Sequence, residues 1–141
     1  MKILAVPYLD NSPLDPADPL GRIVFEDDDG TELSVGSVFF DEWFGGLQAG
    51  LTAILGGQAT IQIDLDSEPD PLVWSYDGHT IAITHLKDTM YVRDINAFKD
   101  ELKRSVIELA DQYRLHPNWP KCTKFGRLLS WAKPGSEELP T

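Results

Sequence analysis

Basic residues are missing from the middle of this 141-residue chain: from Ile23 to Leu86 there is no lysine and no arginine. Residues 1–86 therefore carry a net charge of −13, and residues 87–141 carry +2. A block of one sign on that scale repels nucleic acid and anionic lipid, and it attracts cations or basic protein surfaces. Cysteine is almost absent as well. The single thiol, Cys122, cannot form an internal bridge, which fits a reducing compartment. Long apolar runs are lacking. MKILAVPYLD is broken by Pro7 before it reaches the length of a signal peptide's apolar region, and no other stretch is long enough to span a bilayer. The expectation is a cytoplasmic protein with no membrane partner.

What is present is enough for a core. Hydrophobic residues make up 42% of the chain, with 4 Trp, 4 Tyr and 6 Phe, which excludes wholesale disorder. The length suits one domain, 1–141, in which an N-terminal strand and Pro-rich arm (1–22) precede a core (23–115). A Trp-containing segment and loose tail (116–141) end the chain. In RIVFEDDDGTELSVGSVFF, Ile23 and Phe25 share one parity, Asp28-Asp29-Gly30 supplies a turn, and Leu33 and Val35 resume the alternation. Asp41 to Gly57 has Phe44, Leu47, Leu51, Ile54 and Leu55 on one helical face. Asp41 is placed to cap it, and Gly56-Gly57 to end it. Gly45, Gly46 and Gly50 each weaken a helix by about 1 kcal/mol relative to Ala, which predicts close approach to another backbone or a sheet.

ATIQIDLD reads as a strand carrying Asp64 and Asp66 on its wet side. LVWSYDGHTIAITH reads as a hairpin with a two-residue Asp77-Gly78 turn, and MYVRD as a short strand. Asp94 then opens an amphipathic helix to about Arg114, buried along Ile95, Phe98, Leu102, Val106, Leu109 and Tyr113, with Asp100 and Arg104 paired on its wet side. HPNWPKCTKFGRLLSWAKPG reads as irregular. Strands and helices do not alternate strictly, so the expected class is α+β: an antiparallel sheet of about five strands with two main helices packed on it.

The chemistry-bearing residues divide into a few sets. IDLDSEPDP places Asp64, Asp66, Glu68 and Asp70 on alternate positions. Counted from Asp64, an EF-hand calcium loop would need glycine at its sixth position and a carboxylate at its twelfth, and these hold Pro69 and Ser75. The run reads instead as a negative rim on a sheet edge, where charge and proline discourage aggregation. Asp27, Asp28 and Asp29 sit where hairpin tips favour Asp. His79 and His85 share a strand parity but lie about 20 Å apart on a straight strand, too far to chelate one ion. Gly45-Gly46 lacks the strand, Lys and Ser/Thr of a phosphate loop. The stretch from Gln112 to Ser136 has five basic residues, no acidic one, and Trp119, Phe125 and Trp131. Basic residues among aromatics suit nucleic acid, but the −13 elsewhere opposes it. The segment is expected to fold back over the acidic part and close the core.

FFDEWFGGLQAGLTAILGG followed by TIQIDLDSEPDPLVWSYDGHTIAI, with Phe98 on a later helix, resembles small acidic bacterial proteins of immunity type from polymorphic toxin systems. The resemblance spans roughly residues 23–115. It implies a fold and a binding role toward a cognate toxin, and it assigns no functional residue. The resulting expectation is a non-enzymatic protein-binding domain without a cofactor. Its acidic residues Asp64, Asp66, Glu68, Asp70, Asp27, Asp28 and Asp29 would engage a basic protein partner, with Trp74 and Tyr76 as anchors if their face is not core. The alternatives are a housekeeping interaction or scaffold subunit, or a metal-dependent hydrolase that brings Asp64, Asp66 and His85 into one cleft.

Overall fold

A computed structural model describes residues 1–8, 20–114 and 123–133. Seven strands and three helices follow in order: β1 (Lys2–Pro7), β2 (Leu20–Glu26), β3 (Glu32–Phe39), α1 (Phe40–Leu55), β4 (Thr60–Ile63), β5 (Leu72–Tyr76), β6 (Ile81–His85), β7 (Asp88–Val92), α2 (Ile95–Tyr113) and α3 (Thr123–Ala132). The class is α+β and the pairing antiparallel throughout, but the strands form two sheets, β1-β2-β3 and β4-β5-β6-β7, in place of one sheet of about five. No helix among the described residues is long and apolar enough to cross a membrane.

The alternation legible in the chain decides which strand faces are buried. Ile3, Ala5, Ile23 and Phe25 point inward from the first sheet, and Leu72, Trp74, Ile81, Ile83, Met90 and Val92 from the second. Gly30, at φ 81°, turns β2 into β3 where an L side chain would be strained. The helices cover these apolar faces: α1 packs on β3, β4 and β5, α2 on β1, and α3 on α2 and α1. Aromatic rings join the layers, with Trp74 against Phe98 at 6.3 Å between centroids and Phe25 against Trp43 at 6.4 Å.

Helix α1 comes close to the second sheet through two of its three internal glycines. A Cβ on Gly50 would lie 2.1 Å from the Trp74 ring, and one on Gly46 would lie 2.7 Å from Leu65. Gly45 has nothing within 4 Å of that position, so close approach does not explain it. The capping residue of α1 is Phe39, which makes no side-chain cap bond; Asp41 lies inside the helix. The Asp94 cap of α2 is as expected, its carboxylate accepting from Ala97 N–H at 3.0 Å, and the expected apolar stripe is buried from Phe98 to Tyr113, with Ile95 only partly buried.

Several local expectations are corrected. The β5–β6 connection has four residues, 77–80, because the Asp77 carboxylate accepts from the N–H groups of both His79 and Thr80 and closes a wider turn. His79 therefore sits in the turn and not on β6. Arg104 pairs with Glu101 and Glu108, not with Asp100, because Glu101 is also held in place by the Ile3 N–H at 2.8 Å. The segment read as irregular contains α3, whose Phe125 is buried against Tyr113 at 6.0 Å. Trp131 packs half-buried with the Lys103 ammonium 5.2 Å from its ring centre. Trp119, Cys122, His116, residues 10–19 of the Pro-rich arm and the C-terminal tail lie outside the described residues, while Leu20 and Gly21 open β2.

Candidate functional site

The two acidic clusters have opposite fates. At the β2–β3 tip, Asp27 is 4% exposed, and its Oδ1 accepts from the N–H groups of Asp29 (3.0 Å) and Thr31 (2.9 Å). Its Oδ2 accepts from Tyr91 N–H on β7 at 3.0 Å, and Asp28 N–H donates to Tyr91 C=O at 3.1 Å. The Asp28 carboxylate takes the Arg93 and Asp94 N–H groups at 2.7 and 3.2 Å and pairs with the Met1 α-amino group. Asp29 takes the Arg93 guanidinium through both oxygens, at 2.7 and 3.0 Å.

These carboxylates fasten the first sheet to the free edge of β7 and to the start of α2. Burial pushes the Asp28 carboxyl up, but the bonds from the Met1 ammonium and from the Arg93 and Asp94 N–H groups outweigh it and hold the group below the usual carboxylate range. Hydrogen bonding from Arg93 lowers Asp29 likewise. Asp27, Asp28 and Asp29 are thus engaged within the fold, Asp29 while still exposed at its surface. Backbone N–H groups that would otherwise stay unpaired in the joint explain this. The sequence signal was the Asp-Asp-Asp-Gly-Thr order, in which the first Asp can accept from residues two and four positions on.

The second cluster is open. Strand β4 ends at Ile63, so Asp64 and Asp66 lie on the connection to β5 and not on the strand's wet face. Leu65 turns inward at 4% exposure, while Asp64, Asp66 and Asp70 are exposed, with no ion pair or hydrogen bond among the described residues. The connection is tied to α1 by Glu42, whose carboxylate accepts from Ser67 N–H at 2.8 Å and from Ser67 Oγ. Asp41, Glu42, Asp64 and Asp66 border a groove of about 240 Å³ floored by Gly45, Gly46 and Ala49. Exposed Asp64 and Asp66 give the groove a negative border.

Glu68 differs from its neighbours. It is half-buried, with its carboxylate 4.0 Å from His85 Nε2. The His85 ring stands edge-on to Trp43 at 5.0 Å, and its Nε2 is enclosed without a hydrogen-bond partner. His85 borders a small cavity of about 40 Å³ between the sheets, with Phe25, Trp43 and Met90. The residues of the hydrolase alternative are therefore divided between two cavities, Asp64 and Asp66 in one and His85 in the other. Among the described residues no three His, Cys, Asp or Glu side chains gather as a metal-ligand set.

Trp74 is corrected as an anchor. Its face is core, and the ring is fully buried under Gly50. Tyr76 shares that parity, is partly buried, and spends its hydroxyl on Gly78 C=O at 2.9 Å. The opposite face of the second sheet presents Thr60 and Gln62, Val73 and Ser75, Ala82 and Thr84, and Thr89 and Tyr91 in register, with no charge among them. Val73 and Tyr91 are each 40% exposed there. Their alternation with the core residues was visible in the chain, but their assembly into one face depends on the strand order.

Comparison with protein-family models, with curated proteins and with solved structures finds no match to this chain.

Proposed function

We propose that this protein is a non-catalytic protein-binding domain of immunity type, in which the acidic connection 64–70 and its groove receive a basic surface of a partner such as a toxin. One contrast supports the reading above all. Asp27, Asp28 and Asp29 are engaged by hydrogen bonds and ion pairs inside the fold, whereas Asp64 and Asp66 stand exposed beside a concave surface, unpaired among the described residues. Charges held without internal partners act outward, and a cleft of one sign can raise the association rate of an opposite charge by about 10- to 1000-fold. The outward face of the second sheet adds a further exposed surface that carries no charge.

The test is affinity capture from the native cell at low and at high salt, with the wild type and with Asp64→Lys/Asp66→Lys. A partner retained by the wild type at low salt, and lost both in high salt and by the double substitution, supports the proposal. A partner held equally under all four conditions refutes it, since surface charge would then be irrelevant to binding.

A further inference from the structure

Resting on the acidic-groove reading above, we propose that the partner segment binds as an added strand on the free edge of β4, and that it is an extended basic peptide whose arginine or lysine side chain enters the groove. The backbone carries this. Strand β4 pairs only with β5 among the described residues. Tyr76 N–H donates to Ala59 C=O at 2.8 Å, so that pair, and with it Ile61/Trp74 and Ile63/Leu72, forms the ladder. Thr60 and Gln62 therefore turn their N–H and C=O groups away from β5, outward along an exposed edge.

Edges are ordinarily blunted by lysine, proline, a bulge or a covering element. The β7 edge obeys, capped by Asp27 and Asp28 through Tyr91 and Arg93. The β4 edge, TIQI, is short at four residues but carries no lysine, proline or bulge, and no described strand pairs with its outer side. An edge kept open next to a groove is the geometry of strand addition, in which backbone bonds supply affinity and a pocket reads alternate side chains. The groove determines the occupant. Its volume of about 240 Å³ admits a long side chain, and the exposed carboxylates of Asp64 and Asp66 at its border favour a cationic one. A second copy of this chain paired through its own β4 does not supply that occupant, because TIQI and its flanks carry no lysine or arginine to enter the groove.

The test uses the full chain and three synthetic octapeptides, acetylated and amidated. One alternates arginine and valine, one alternates glutamate and valine, and one repeats the first with alternate backbone nitrogens methylated. At low salt the arginine peptide should bind and protect the Thr60 and Gln62 amides from hydrogen exchange. N-methylation should weaken it about tenfold or more, as loss of two or more backbone bonds implies. Gln62→Pro, which removes an outward N–H and leaves the β4–β5 ladder intact, should weaken it similarly, and Gln62→Ala should not. The methylated-peptide arm holds even if Gln62→Pro fails to fold.

Equal binding of the methylated peptide, together with loss of binding in Asp64→Lys/Asp66→Lys, would overturn strand addition and leave the acidic-groove reading standing. Equal binding of the glutamate peptide would overturn the basic occupant. Failure of every peptide to bind, or a β4-paired dimer in sedimentation, would overturn the proposal, while the capture experiment would still decide the broader reading.

Discussion

Three glycines within one helix should respond to the same substitution in three different ways. Alanine at any of them gains about 1 kcal/mol of helix propensity. At Gly50 the new methyl would meet Trp74 Cε2, Cζ2 and Nε1 at 2.1, 2.3 and 2.6 Å. That ring cannot step aside, because it is fully buried and lies against Phe98. Overpacking a core of native density typically costs about 1–3 kcal/mol, and contacts this short with a rigid ring belong at the upper end. The net for Gly50→Ala is a loss of about 2 kcal/mol, or roughly 6–8 °C in melting temperature for a chain of this size. Gly45→Ala meets nothing within 4 Å. It should raise stability by about 1 kcal/mol, roughly 3–4 °C. Gly46→Ala would meet the tip of Leu65 at 2.7 Å, a terminal methyl that can rotate, so loss and gain should nearly cancel. Urea titration and thermal melts of the three variants check the order Gly45→Ala, Gly46→Ala, Gly50→Ala from most to least stable. A Gly50→Ala protein as stable as the wild type would refute the packing argument, because propensity alone predicts gain at all three sites.

Asp27→Ala removes the acceptor of three N–H groups, those of Asp29, Thr31 and Tyr91, at a site that water barely reaches. It should destabilise by about 2–4 kcal/mol, read from the urea midpoint, whereas Asp70→Ala should stay within about 0.5 kcal/mol. Acid should weaken the fold through Asp28 and Glu101. Burial pushes both carboxyls up, but hydrogen bonds and paired cations outweigh it, and both are held below the ordinary range. A carboxyl whose folded pKa is depressed contributes stability above its unfolded value, about 4, and that contribution is lost as pH falls through the folded value. Stability should therefore change little through these groups from pH 7 to about 5 and decline below about 4. Asp28→Asn/Glu101→Gln should lower stability at neutral pH and flatten the acid limb; an unchanged slope would reject this account.

Much of this architecture was legible because it depends on local periodicity. Period-2 alternation around Ile23 and Phe25, the positive-φ turn at Gly30, the Asp94 cap and the stripe from Phe98 to Tyr113 each arise from residues within a few positions of one another. Helix α3 was missed although Phe125, Leu128, Leu129 and Ala132 recur at helical spacing: its ten residues are few for an isolated helix and contain Gly126, and burial of Phe125 against a distant helix stabilises it. The candidate site was half legible. The four alternating acids were visible as charge, but which of the two acidic clusters faces outward was not. Asp27 and Asp64 carry the same carboxyl group in similarly acidic surroundings. What separates them is Tyr91 N–H, 64 residues away from Asp27 and 3.0 Å from it once folded. Composition and periodicity determined that this chain is acidic, α+β and antiparallel. Only tertiary structure decided that one acidic cluster is consumed as the joint between two sheets while Asp64 and Asp66 of the other stay exposed and, among the described residues, unpaired, because hydrogen-bond partners are allotted by proximity in space and not along the chain.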